Sequence, residues 1–172
     1  MDHQKEAQFL DAYKEHTNAL FRYCYFKTLN RDEAKDMLQD TFIKTWQYIQ
    51  GGGEVLNIKA FLYRTAHNTV IDHYRKKKPV SLDELFEEGF DTSHDTPTVR
   101  DLENQIDGAE AMKLLDKIPK AYRDLIFMKY VEELSIKEIA EILDEPANNI
   151  SVKIHRAIEK LKEIYHDREK NI

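Results

Sequence analysis

The sequence has few of the residues that build disulfide-linked, strand-rich or membrane-spanning proteins. A single cysteine, Cys24, excludes a disulfide framework and a cysteine-based zinc site. Five glycines and four prolines are too few for the many tight turns of a β-sandwich or a barrel. The opening stretch "MDHQKEAQ" is polar, and no apolar run is long enough to cross a bilayer. We therefore expect a helical, soluble protein of the cytoplasm, without membrane insertion.

Charged residues are plentiful, but their signs are separated along the 172 residues, whose net charge is −6. Residues 56–78 contain 6 Lys or Arg and 1 Asp or Glu, whereas residues 79–110 contain 1 and 10. Residues 1–55 and 111–172 are close to balance, with net charges of −2 and 0. The acidic block has the composition of a linker, and the basic block before it is a candidate site for an acidic partner.

Hydrophobic periodicity predicts three helices in the N-terminal half, the first of which ends near Leu29. Asn30 followed by Glu33 has the spacing of a capping box and marks the start of the second helix. The glycines of "GGGE" at 51–54 end that helix, and Pro79 stops the third. The expected apolar faces are Phe9, Tyr13, Leu20 and Cys24 in the first helix, Ala34, Leu38, Phe42, Thr45 and Ile49 in the second, and Ile58, Leu62, Ala66, Thr69, Val70 and Tyr74 in the third.

The C-terminal part predicts a helix-turn-helix. Ser135 and Glu138 have capping-box spacing at the start of a short helix, and "DEPAN" supplies the turn. The longer helix that follows carries four basic residues against Glu159 alone between residues 150 and 162. In this motif the second helix enters a major groove. The expected apolar positions are Leu114, Leu115, Ile118, Tyr122, Leu125, Ile126 and Tyr130 before the motif, and Ile136, Ile139, Ala140, Leu143, Ile150, Ile154, Ala157, Ile158 and Leu161 within it.

The predicted fold class is all-α, with two small helical domains joined by an acidic flexible linker. The boundaries place the first domain at residues 1–79, the linker at 80–107 and the second domain, which contains the helix-turn-helix, at 108–172. The linker segment has no sustained hydrophobic period and includes Gly89 and Pro97 among many acidic residues.

Three stretches in this order resemble the group 4, extracytoplasmic-function (ECF) sigma factors of bacterial RNA polymerase. They are "DEAKDMLQDTFIKTWQYI" at 32–49, "AFLYRTAHNTVIDHYRKKKP" at 60–79, and the C-terminal stretch at 114–162 that includes "HRA". The resemblance implies a factor that binds core RNA polymerase, directs it to −35 and −10 promoter elements and promotes DNA melting. It implies no enzymatic activity. The implied partners are the clamp helices of the largest subunit, the flap of the second subunit, promoter DNA and an anti-sigma factor.

The basic block also has a composition suited to single-stranded DNA, because cations attract the backbone while aromatic rings and amides hold unstacked bases. The resemblance assigns −10 binding to this helix and the loop before it, and Asn68 is the strongest candidate for a contact. The loop glycines permit a close approach of a flipped base. The predicted −10 residues are Gly52, Glu54, Asn57, Tyr63, Arg64, His67, Asn68, Arg75 and Lys76.

Two further sets of site residues follow from helical spacing and the resemblance together. A polar face of the second helix is expected to bind the polymerase, and the outward face of the last helix is expected to read the −35 element. Arg156 is expected to contact guanine or phosphate, and Val152 a thymine methyl. The polymerase set is Asp36, Gln39, Asp40 and Lys44, and the −35 set is Asn149, Ser151, Val152, Lys153, His155, Arg156 and Lys160.

Some features leave alternatives open. Where the family commonly has Gly-Thr-Val-Lys/Arg-Ser-Arg, this chain has "NNISVK" at 148–153, so no particular −35 sequence is implied. A helix-turn-helix repressor or activator that binds duplex DNA as a dimer, or a structural helical adaptor, would also fit much of the pattern. The linker serves either as a spacer or as a mimic of RNA in the polymerase channel.

His67, Asp72 and His73 do not share one helix face, so no metal or other cofactor is expected.

Overall fold

The structure, a computed structural model, describes residues 3–77 and 113–169. Every regular element in these two ranges is helical, which confirms the all-α fold class. The chain divides into two compact units, and residues 137–145 group with the first unit although the sequence places them in the second predicted domain. The predicted linker at 80–107 lies outside the described residues, and the domain boundaries stay a prediction.

The first unit is built on three helices, α1 (His3–Thr28), α2 (Arg31–Gln50) and α3 (Ile58–Lys77), each of which contacts the other two. Their predicted extents are confirmed to within about two residues. Burial raises the pKa of the Cys24 thiol to about 12, so this thiol is a neutral core group. The buried residues are Ala12, His16, Leu20, Tyr23, Cys24, Ala34, Met37, Thr41, Phe42, Thr45, Ile49, Ala60, Leu62, Tyr63, Ala66, Thr69 and Val70.

The core of this unit contains polar groups, of which Thr45 lay on a predicted apolar face and Thr41 did not. Thr41 donates to the Met37 carbonyl at 2.6 Å, and Thr45 donates to the Thr41 carbonyl at 2.8 Å, so both buried hydroxyls are satisfied within α2. Tyr13 was expected on the apolar face but is 46% exposed, although its ring contacts that of Phe42 with 4.6 Å between the centroids.

The junction between α1 and α2 confirms Asn30 as the N-cap. Its side-chain oxygen accepts from the Asp32 and Glu33 N–H groups at 3.0 and 3.1 Å. The reciprocal half of the predicted capping box is wrong: the Asn30 N–H donates to Thr28 Oγ1 at 3.3 Å, and the Glu33 carboxylate contacts Lys77 of α3. A partner from a distant helix has therefore replaced a local one.

The remaining helices are α4 (Lys120–Ile126), α5 (Ile136–Leu143) and α6 (Ala147–Glu169). In the second unit α4 packs against α6, which continues well beyond the predicted end at Lys162. The predicted apolar stripe of α6 is confirmed, because Ile150, Ile154 and Ala157 are buried. The core cluster of this unit consists of Leu115, Ile118, Ile126 and Ala157, with Tyr122, Ile158, Leu161 and Ile164 packed against it.

A π-helical segment, Phe127–Val131, follows α4 and changes which residues are buried. The Glu132 N–H donates to the Phe127 carbonyl at 3.1 Å, five residues earlier. Tyr130, predicted on the apolar face, is 57% exposed, whereas Phe127 and Met128 are buried. The wider turn accounts for this error, because a hydrogen bond that spans five residues instead of four rotates the side chains away from the positions that an α-helical period predicts.

Replacing Asn30 by alanine should lower the free energy of unfolding by about 1 kcal/mol, because two N–H groups at the start of α2 lose their acceptor. Asn18→Ala is the matched control, since Asn18 is exposed inside α1 and alanine favours helix there. Denaturant unfolding of both variants measures the difference. Unchanged stability of Asn30→Ala would show that the cap contributes nothing to the fold.

Candidate nucleic-acid interface

The predicted polymerase-binding residues of α2 lie on its exposed side. Asp36, Gln39 and Asp40 are exposed, and the exposed apolar residue Ile43 continues the same surface because it is three or four residues from the last two. We call these four residues the α2 stripe. The fourth predicted residue, Lys44, is at its edge and donates to Thr69 of α3 at 3.1 Å. The predicted set does not include Ile43, which is an exposed apolar residue outside the buried face of α2.

Helix α3 presents a second polar stripe. Arg64, Asn68 and Arg75 are exposed and four or seven residues apart, so they lie along one side of the helix. We call them the α3 stripe. Lys76 extends it at the C-terminal end, and the exposed acid Asp72 lies beside it. The structure therefore brings together four of the predicted −10 residues in an arrangement that is mainly cationic.

Two predicted −10 residues of α3 have other surroundings. Tyr63 is buried and packs edge-to-face on Tyr23, with 5.5 Å between the ring centroids, so its ring face is not available to a base. This position corrects the expectation for Tyr63, whose spacing fits both the core and the surface. His67 is half-buried, and its Nδ1 lies 3.1 Å from the Tyr23 hydroxyl. Tyr74 donates its hydroxyl to the Lys27 carbonyl at 2.7 Å and so anchors α3 to α1.

Hydrogen bonds fix both ends of the loop between α2 and α3. Gly52 has φ +90°, a conformation that favours glycine, and a side chain at Gly53 would collide with the Tyr48 ring. The Gly53 N–H donates to the Tyr48 carbonyl at 3.0 Å. At the other end, Asn57 accepts from the Ala60 N–H at 3.0 Å and caps α3. The predicted residues Gly52, Glu54 and Asn57 are all exposed on this loop.

A charged cluster joins the end of α3 to the start of α2. Glu33 contacts the Lys77 ammonium, and its other oxygen lies 3.3 Å from His73 Nε2. The hydrogen bond from Lys77 lowers the pKa of the Glu33 carboxyl, while partial burial opposes that change. This cluster fixes the basic end of α3. No sequence pattern pointed to it, because the paired residues are at least forty positions apart.

Helix α6 presents the predicted −35 residues on the side opposite its buried stripe. Val152, His155 and Arg156 are exposed at helical spacing, and we call them the α6 face. His155 Nε2 lies 3.2 Å from Glu159 Oε1, and the Lys160 ammonium lies 3.4 Å from Glu163 Oε2. Asn149 and Ser151 are also exposed, Lys153 is half-buried at the margin, and Asn148, outside the predicted set, is exposed one turn before Val152.

The described residues also bear on metals and membranes. Among residues 3–77 and 113–169 no group of three His, Cys, Asp or Glu side chains is placed to hold a metal ion. Within the same part of the chain, no helix combines the length and the apolar character that spanning a membrane requires.

Comparison with known families defines the class of protein. The family model "Sigma-70 region 2" matches residues 12–80, and "Sigma-70, region 4" matches residues 109–161. The ECF RNA polymerase sigma factor SigW of Bacillus subtilis is 32% identical over 96% of this chain and 91% of that protein. The RNA polymerase sigma factor YlaC of the same organism is 29% identical over 88% of each chain. These matches define a sigma-70-type transcription initiation factor.

The chain belongs to the ECF RNA polymerase sigma factors, which confirms the resemblance drawn from its motifs. As a member of that family it binds core RNA polymerase and promoter DNA and directs promoter-specific initiation. Solved structures support the fold. RpoE of Bartonella quintana, in complex with the anti-sigma factor NepR, has a TM-score of 0.69 at 23% identity over 92% of this chain and 97% of that one. CnrH, in complex with the cytosolic domain of CnrY, has a TM-score of 0.63 at 20% identity over 94% and 90%.

The α6 face generates a prediction that separates base reading from phosphate binding. Arg156→Ala should relax base preference at one −35 position, since losing a bidentate guanine contact costs about 1–3 kcal/mol. Lys160→Ala should weaken binding to all sequences alike and reduce the salt slope by about one unit. Binding selections on randomised −35 DNA at two salt concentrations measure both effects. An unchanged base preference for Arg156→Ala would reduce Arg156 to a backbone contact.

Proposed function

We propose that this sigma factor divides initiation among three surfaces: the α2 stripe binds the polymerase, the α3 stripe with its preceding loop binds the −10 element, and the α6 face reads the −35 element. The observation that carries the proposal is that each surface is exposed while the opposite side of the same helix is buried. The buried side of each helix fixes its position in the fold, and the exposed side is accessible to a partner.

The α3 stripe is suited to a melted strand. Arg64 and Arg75 attract the phosphate backbone, and the Asn68 amide between them offers a donor and an acceptor to a base. The loop before α3 is short and capped, so it positions Gly52 and Glu54 without a large entropic cost on binding. We therefore assign promoter melting to this part of the first unit.

The α6 face is suited to duplex DNA. An exposed arginine and a small apolar side chain at helical spacing supply the contacts that discriminate guanine and the thymine methyl in a major groove. The neighbouring pairs of His155 with Glu159 and of Lys160 with Glu163 are exposed, and exposed pairs contribute only about 0–1 kcal/mol. Phosphate can replace these carboxylates at little cost.

The domain organisation and regulation complete the proposal. We assign residues 1–79 and 108–172 to separate domains, and the ends of the two family matches at residues 80 and 109 support these boundaries. We also propose that an anti-sigma factor regulates the protein. Two proteins of the same fold were solved in complexes: RpoE with the anti-sigma factor NepR, and CnrH with the cytosolic domain of CnrY. The factor has no enzymatic role of its own and acts in the cytoplasm with the polymerase.

Adding the protein to core RNA polymerase should produce promoter-specific transcripts from a template selected out of a randomised promoter library. The double variant Asp36→Lys/Asp40→Lys should lose most of this activity, because it reverses the charge of the α2 stripe. Asp11→Lys, at an exposed acid of α1 outside the three surfaces, should retain it. Run-off transcription and competition for core enzyme measure the result. The proposed function would be refuted if the protein bound duplex DNA as a dimer and core enzyme produced no promoter-specific transcript in its presence.

Asn68→Ala should slow open-complex formation by about tenfold, which corresponds to loss of about 1.4 kcal/mol from a base contact, while duplex occupancy stays unchanged. Asn18→Ala is again the control, as an exposed asparagine of the same unit. Permanganate reactivity of promoter thymines reports melting, and footprinting reports occupancy. Normal melting at normal occupancy would remove Asn68 from the site.

A further inference from the structure

Glu33 is an acidic residue of α2 whose contacts lie on another helix. One carboxylate oxygen contacts the Lys77 ammonium, and the other lies 3.3 Å from His73 Nε2, so both oxygens face the C-terminal end of α3. None of these three residues belongs to the α2 stripe, the α3 stripe or the α6 face. The carboxylate is therefore committed to the charge of α3 and is not part of the side of α2 that is assigned to the polymerase.

The pair of Glu33 with Lys77 is better protected from water than the two ion pairs of α6. The Glu33 side chain is 23% exposed, whereas the Glu159 and Glu163 side chains are 59% and 67% exposed. The hydrogen bond from Lys77 lowers the pKa of Glu33 although partial burial opposes it, so the carboxylate is ionised at neutral pH. Because water and salt screen a half-buried pair less, DNA phosphate displaces this carboxylate less readily.

The last turn of α3 carries three basic residues, and Glu33 contacts one of them. Arg75 belongs to the α3 stripe and Lys76 extends it. Two residues of helix rotate a side chain by about 200°, so Lys77 lies on nearly the opposite side of α3 from Arg75. The Lys77 side chain is still 53% exposed, and its flexible stem would carry the ammonium to other partners if no carboxylate held it. Glu33 thus determines whether the end of α3 offers two cations or three.

We propose that Glu33 masks Lys77 by taking the place of a DNA phosphate, and so limits the sequence-independent affinity of the factor for DNA. Phosphate contacts position a protein but carry no sequence information, and each one adds affinity for any duplex. With Lys77 masked, a larger share of the binding depends on the α3 stripe, where Asn68 offers a contact to a base. This inference rests on the proposed function, because it assumes that the α3 stripe binds promoter DNA.

A mask and a purely structural ion pair predict opposite effects when the carboxylate is removed. If the pair only held the end of α3 in place, loss of the Glu33 carboxylate would loosen the basic residues and weaken DNA binding. If Glu33 masks Lys77, the same loss frees a cation and strengthens binding to every sequence. The direction of the change in affinity therefore separates the two roles.

The test measures binding of the full chain to a labelled duplex of unrelated sequence, by fluorescence anisotropy at about 50 and 200 mM salt. Glu33→Gln should bind about fivefold more tightly at the lower salt and steepen the salt slope by about 0.9, as expected for one added phosphate contact. The double variant Glu33→Gln/Lys77→Gln should return to wild-type affinity, because it removes the acid and the cation together. Asp32→Asn is the matched control, since it removes the same charge from an exposed residue outside the cluster.

Weaker or unchanged binding by Glu33→Gln would overturn the mask. An equal gain from Asp32→Asn would overturn it as well, because net charge alone would then account for the effect. Lys77→Gln supplies a second measurement that leaves Glu33 in place. Its salt slope should equal that of the wild type, whereas a decrease of about 0.9 would show that Lys77 already contacts phosphate and would refute the mask.

Promoter-specific transcription with core enzyme, measured on the same samples, tests the proposed function separately. Glu33→Gln should still direct it in the absence of competitor DNA, because the three surfaces are unchanged. Failure of the wild-type protein to direct transcription refutes the proposed function. Wild-type transcription together with a Glu33→Gln variant that shows no gain in DNA affinity refutes only the mask.

Discussion

Edge-to-face packing of Tyr23 on Tyr63 is the contact on which the DNA-facing geometry of the first unit depends. Both rings are buried, and together they join α1 to α3. The Tyr23 hydroxyl also lies 3.1 Å from His67 Nδ1, one turn further along α3. Because this side of α3 is committed to the core, the helical period turns Arg64 and Asn68 to the surface. The packing of Tyr23 on Tyr63 thus determines which polar residues of α3 are exposed.

Carboxylates of the protein itself hold several basic groups before any nucleic acid is bound. Glu33 contacts Lys77, and Glu159 lies beside His155. The pair of His155 with Glu159 is exposed and weak, so a phosphate competes with it easily. The distribution of charge, not the net charge of −6, accounts for an acidic chain that binds DNA.

Local patterns predicted the helices well and the exceptions had specific causes. Helical spacing identified the buried stripe of α6, and the sequence identified the Asn30 cap, because both depend on interactions within a few residues. The error at Tyr130 arose where a π-helical segment changed the period. The error at the capping box arose because Glu33 contacts Lys77 of α3, while the Asn30 N–H donates to Thr28 Oγ1.

The sequence by itself determined the helical class, the family and the set of polar residues from which the surfaces are drawn, because periodicity, capping and motif order are properties of neighbouring residues. Only the tertiary structure decided which aromatic and apolar residues face the solvent. Tyr63 is buried because Tyr23, forty positions away, lies against it, and Leu56 is exposed because a cap and a glycine turn hold its loop away from the core. Contacts between distant positions leave no periodic signal, so no local pattern could have distinguished these two residues.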